Sequence, residues 1–102
     1  MLPQELVDII HDDIDVGIQT IPSVIEKFTK GPIRLLLEIE NEHDYILGHM
    51  IGLWTRTFSS YYTFVLHQTP TAADMMEQTE ILFKRLPEIK KAIRDNLGKF
   101  LI

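Results

Sequence analysis

Apolar side chains return every three or four positions along most of this chain, the period of a helix with one buried face. In the first segment Leu6, Val7, Ile10, Ile14, Ile18 and Ile21 share a face at 100° per residue, and Asp8, Asp12, Asp15 and Gln19 lie opposite. The pattern predicts a helix over about residues 3–20. Pro3 falls in its first turn, where a missing N–H is harmless. Pro22 disfavours helical backbone at Ile21, so a boundary is expected there, followed by a short helix over about 22–29. No stretch alternates apolar and polar residues as a strand would.

Between Gly31-Pro32 and Thr69-Pro70 no proline interrupts the chain. This stretch predicts one long central helix over about 33–67, or two collinear pieces meeting at Gly48 or Gly52. Its apolar residues, from Leu35 and Leu36 to Phe64 and Val65, cover a wide arc. Beside them runs a line of small residues, Gly48, Gly52, Thr55 and Ser59, at helical spacing. Small residues in a line let two helix backbones approach closely. A straight helix of that length would extend about 54 Å, against a diameter of roughly 33 Å for a compact chain of this size. The reading therefore completes the bundle by dimerisation, with Gly48, Gly52, Thr55, Ser59, Trp54 and Phe58 at the interface. The aromatics Trp54, Phe58, Tyr61, Tyr62 and Phe64 suit a core or an oligomer interface.

After Thr69-Pro70-Thr71 a last helix is expected, capped by Thr69 or Thr71 with Asp74 in its first turn. Ala72, Met75, Met76, Leu82, Phe83 and Leu86 are assigned to one apolar face, and Ile89, Ile93 and Leu97 continue it. Pro87 either kinks this helix or begins a new one. Gly98 marks its expected stop. The apolar tail Phe100-Leu101-Ile102 is a candidate docking segment.

A length of 102 residues gives a single helical domain, 1–102. With no cysteine, disulfides and thiolate metal sites are excluded. A net charge of −5 argues against generic nucleic-acid binding. The charge is unevenly placed: residues 84–102 carry six Lys/Arg and two Asp/Glu, while the rest of the chain is acidic. His49 and Arg56 within the most apolar window argue against a membrane span. Met1-Leu2-Pro3-Gln4-Glu5 lacks the form of a secretory signal, so a cytoplasmic location is expected.

One pair offers specific chemistry. On a continuous helix Glu40 and His43 both point into the apolar arc, and a buried carboxylate needs a partner. Glu40 closes either as a structural contact, with His43 or with Lys90 or Arg94 of the last helix, or together with His43 on a metal ion. Glu40-x-x-His43 resembles the motif of ferritin-like di-iron carboxylate bundles. The run Glu40-Asn41-Glu42-His43 is similar to the corresponding segment of small encapsulated ferritin-like proteins. That resemblance implies an iron site shared between two subunits, with a further carboxylate from another helix. Asp15, His11 and Glu80 are the residues available for that role. Other likenesses are partial. Glu38, Glu42, Glu77 and Glu80 resemble the acidic helices of all-α nucleotide pyrophosphatases, but Phe83 stands where a final Asp is expected. The order His11, His43-Asp44, Asp74 resembles that of metal phosphohydrolases. His49-x-x-Gly52 resembles a phosphotransfer-domain histidine without its usual following Lys.

The sequence thus reads as an all-α helical bundle and a small non-enzymatic interaction or assembly protein without cofactor. Its expected partner is itself, with another protein also open and neither membrane nor nucleic acid expected. The alternative is a ferritin-like protein binding iron or another divalent metal through Glu40 and His43.

Overall fold

The structure is a computed structural model that describes residues 1–100. Its elements are α1 (Gln4–Lys30), α2 (Ile33–Leu36), α3 (Glu42–Leu66) and α4 (Ala72–Phe100), with no strand among the described residues. The protein is an all-α bundle. Three long helices form it, and the short α2 is part of an elbow between α1 and α3. Leu101 and Ile102, the end of the tail expected to dock, lie outside the described residues.

Cross-helix contacts fix the directions. The Leu2 amide donates to Glu77 Oε1 at 3.0 Å, and Arg85 reaches the His11 carbonyl oxygen at 3.0 Å, so α1 and α4 run parallel. Trp54 on α3 meets Asp13, and Tyr45 stacks on Phe28 with ring centroids 4.8 Å apart, so α3 runs against α1. α3 also runs against α4, where the Tyr62 hydroxyl donates to Asp74 Oδ2 at 2.6 Å.

α1 passes straight through Pro22, and the boundary expected there is absent. Pro22 has no N–H for the Ile18 carbonyl, so one helical bond is missing. Packing outweighs it. Leu6, Gly17 and Phe28 are all buried, as are Ile10 with Ile21 and Ile14 with Ile25. Each set repeats at an 11-residue interval, and a break at Pro22 would throw Ile25 and Phe28 off that seam. Each such Ile or Phe contributes roughly 1.5–3 kcal/mol by burial, which together exceeds the cost of one proline, about 3 kcal/mol. α4 passes through Pro87 in the same way and continues past Gly98 to Phe100, so neither residue ends a helix. Ile89, Ile93 and Leu97 carry on the buried seam begun by Leu82. Thr71, not Thr69, caps α4, its hydroxyl accepting from the Asp74 amide at 3.1 Å.

The central helix is unbroken through Gly48 and Gly52 but starts at Glu42, not near Ile33. α2 closes with two bonds, Ile39 N–H to Arg34 O at 3.1 Å and Glu38 N–H to Leu35 O at 3.3 Å. This is a Schellman stop with Glu38 at the left-handed position, φ 52°. Glycine usually fills that position, so the sequence carries no obvious stop signal. Asn41 then opens α3, its side chain accepting from the Asp44 amide at 2.9 Å. The break leaves a helix of 25 residues, about 37 Å long, within a molecule 44 Å in its longest dimension. A helix of this length fits within the molecule's own dimensions and needs no second subunit to accommodate it.

Candidate functional site

On α3 the buried residues recur at every fourth position: Ile46, Met50, Trp54, Phe58 and Tyr62. A step of four turns the buried ridge by about 40° each time. The outermost ridge keeps the same step, and Gly48, Gly52, Arg56, Ser60 and Phe64 are all exposed along it. The expected interface residues are thereby divided. Trp54 and Phe58 are 4% and 2% exposed and belong to the chain's own core, which corrects their assignment to an interface. Thr55 and Ser59 are half-buried, with the Ser59 hydroxyl 3.9 Å from Met75 Sδ on α4. Gly48 and Gly52 alone of that line face water, with open space where a Cβ would stand.

Trp54 is the best-anchored core residue. Its indole N–H donates to the Asp13 carbonyl at 3.0 Å, and its ring lies against Gly17. A Cβ on residue 17 would fall 2.4 Å from Trp54 Nε1. The glycine is a notch that admits the indole to the α1 backbone. Burial, reinforced by neighbouring Asp12, raises the Asp13 carboxyl above its ordinary value. Tyr62 and Asp74 make a second fixed contact. The hydrogen bond to the carboxylate holds the Tyr62 phenol above its ordinary value, and the same bond holds Asp74 below its own.

The carboxylate–imidazole pair takes a different form from the one expected. Glu40 lies in the elbow before α3 and is exposed. It is not on an inward helix face, because the Schellman stop and the Asn41 cap end the helical register before it. His43 is half-buried in the first turn of α3, with Nδ1 3.5 Å from Asp44 Oδ1. Its Nε2 is buried with no hydrogen-bond partner among the described residues. Glu42 is held by Arg34 at 2.7 Å. Lys90 and Arg94 make no ion pair with Glu40.

The further ligands suggested for that pair are elsewhere. His11 and Asp15 meet Arg85, whose guanidinium bonds the Asp15 carboxylate and the His11 carbonyl and stands 3.4 Å from His11 Nδ1. A cation already occupies the space between them. Glu80 is exposed beside His11, Glu77 and Lys84 in a groove between α1 and α4. His11 is 17 positions from Phe28 on α1, about 26 Å, and His43 lies at the Phe28 end. Among the described residues no three His, Asp or Glu side chains come together in a way that holds a metal ion. The donor set for iron is not assembled within one chain. The pyrophosphatase-like carboxylates are likewise divided, since Glu38 and Glu42 lie at the elbow and Glu77 binds the Leu2 amide. Among the described residues no helix is long and apolar enough to cross a membrane.

Two features escaped the sequence pattern. Gln78 is 1% exposed, and neither end of its amide has a partner among the described residues. It sits on the seam that Leu82 and Ile89 continue, which only the packing reveals. Met76 and Phe83 had been assigned to the buried face but are 65% and 63% exposed. The apolar arc of α4 is wider than the two neighbouring helices can cover. Leu35, Leu36 and Leu37 at the elbow are 81%, 76% and 62% exposed as well. No family model, curated protein or solved structure matches the chain.

Proposed function

We propose that this chain is a small non-enzymatic interaction protein that works by self-assembly, as a homodimer. The observation that carries this reading is the amount of large apolar side chain left in water: Leu35, Leu36 and Leu37 at the elbow, and Met76 and Phe83 on α4. Large apolar side chains in water favour association over exposure. The exposed Gly48–Gly52 ridge adds a flat strip that a neighbouring backbone can approach closely. Sedimentation equilibrium over the micromolar range tests the proposal. A dimer of the 11.9 kDa chain is expected; a monomer persisting at about 100 µM, near the weak end of measurable association, overturns it.

The metal-binding alternative rests on the partnerless Nε2 of His43. It needs donors from a second copy, since one chain does not gather them. Metal analysis after reconstitution with iron, manganese and zinc decides it. Metal content that is negligible, or that Glu40→Ala and His43→Ala leave unchanged, removes this reading.

A further inference from the structure

The side of α4 turned away from the bundle carries a second pattern, distinct from the buried one. Met76, Glu80, Phe83, Pro87, Lys90 and Arg94 fall within an arc of about 80° on the helix. That arc lies off the contacts α4 makes with α3 through Met75 and with α1 through Arg85, with Glu80 at its α1 edge, where it lines the groove beside His11. Lys90 is half-exposed and the other five are exposed. Their spacing is 4-3-4-3-4, which is the spacing of a two-helix seam.

The stripe is also palindromic in its spacing. Position 76 mirrors 94, 80 mirrors 90 and 83 mirrors 87. Its centre is the exposed Phe83 beside a hollow of about 400 Å³ lined by Phe83, Leu86, Pro87, Lys90 and Arg94. On either side stand an acid, Glu80, and a base, Lys90. Neither of these, nor Arg94, has an ion-pair partner within 4.0 Å among the described residues. Of the neighbouring charges, Arg85 is engaged with Asp15 and Glu88 and Lys91 with Asp95, while Lys84 lines the same groove as Glu80.

We infer that this face binds a second copy of the same chain, with the two α4 helices antiparallel about a twofold axis near position 85. In an isologous contact, residue i meets j and j meets i. Here Phe83 of each copy enters the hollow beside Pro87 of the other. Glu80 of each copy meets Lys90 of the other, twice by symmetry. The aliphatic stem of Arg94 covers Met76 across the seam. A parallel pairing would set Glu80 against Glu80 and Lys90 against Lys90, and like-charge juxtaposition excludes it. This inference rests on the self-assembly reading and names the surface that serves it.

Charge exchange and cysteine cross-linking, with folding checked by circular dichroism, test the surface. Phe83→Glu is expected to raise the dimer dissociation constant roughly 30-fold or more, as for loss of a central anchor. Glu80→Lys and Lys90→Glu each weaken the dimer, and the double variant Glu80→Lys/Lys90→Glu restores it, because the exchanged charges meet again across the axis. Glu80→Cys/Lys90→Cys is expected to yield a disulfide-linked dimer on oxidation. Ten positions on one helix are about 15 Å apart, too far for a bridge within the chain. A dimeric wild type that tolerates Phe83→Glu and cross-links through Gly52→Cys instead overturns the α4 surface and leaves self-assembly standing. A monomeric wild type overturns both.

Discussion

Gly17 and Gly52 both lie inside long helices, yet the same substitution by alanine is expected to act with opposite sign. At residue 17 the new methyl would stand 2.4, 2.6 and 2.7 Å from Trp54 Nε1, Cζ2 and Cε2. Carbon contacts are comfortable only near 3.5–4.0 Å, so something must move by about 1 Å. The indole is held at that same edge, through Nε1, by the Asp13 carbonyl and is 4% exposed. Overpacking of this kind costs about 1–3 kcal/mol. If the indole is displaced from Asp13, a buried N–H without its partner adds about 1–3 kcal/mol. The gain in helix propensity returns about 1 kcal/mol. With that displacement, Gly17→Ala is expected to destabilise the fold by about 1–5 kcal/mol. At residue 52 nothing lies within 4 Å of the added Cβ, so only the propensity gain remains and Gly52→Ala stabilises by about 1 kcal/mol. Urea unfolding reads both, with fluorescence reporting on Trp54, the one tryptophan of the chain. Trp54→Phe in the Gly17→Ala background removes the clashing ring edge, so the pair, followed by circular dichroism because the fluorophore is gone, is expected to be non-additive. A Gly17→Ala protein as stable as the wild type would refute the notch.

Two further outcomes follow from buried polar groups. Gln78→Leu removes an amide that has no partner among the described residues while keeping similar volume, and is expected to raise stability by about 1–3 kcal/mol; a loss of stability in urea unfolding would show that the amide is satisfied in solution. The Tyr62–Asp74 bond links stability to pH. Because Asp74 titrates lower when folded, its contribution is present above the unfolded carboxyl value of about 3.9 and fades as pH falls through the lower folded value. Tyr62 titrates higher when folded, so its contribution is present below about pH 10 and fades as pH rises through the higher folded value. The wild type is expected to exceed Asp74→Asn in urea midpoint at pH 6, and the difference is expected to shrink as pH falls below the ordinary carboxyl range; a difference that grows on acidification contradicts the assignment.

The sequence by itself determined the class of fold and much of the core. Helical spacing found Leu6, Ile10, Ile14 and Ile21 on α1, and Ile89, Ile93 and Leu97 on α4, because burial of a periodic face is a local property of the pattern. It did not determine where the helices end. Pro22 and Pro87 are strong local breakers, but the seams on either side of each are in register, and that register exists only when the other helices are in place. Conversely, Glu38 ends α2 in a conformation its side chain does not advertise. The early start assigned to the central helix turned Glu40 inward on the wheel, and the tertiary break turned it out to water. Tertiary structure also decided which apolar residues are core. Three helices cannot cover the whole apolar surface they carry, so Trp54 and Phe58 went inside while Met76, Phe83 and Leu35 to Leu37 stayed out. The choice depends on which neighbours a helix has, and a single helical wheel holds no information about its neighbours.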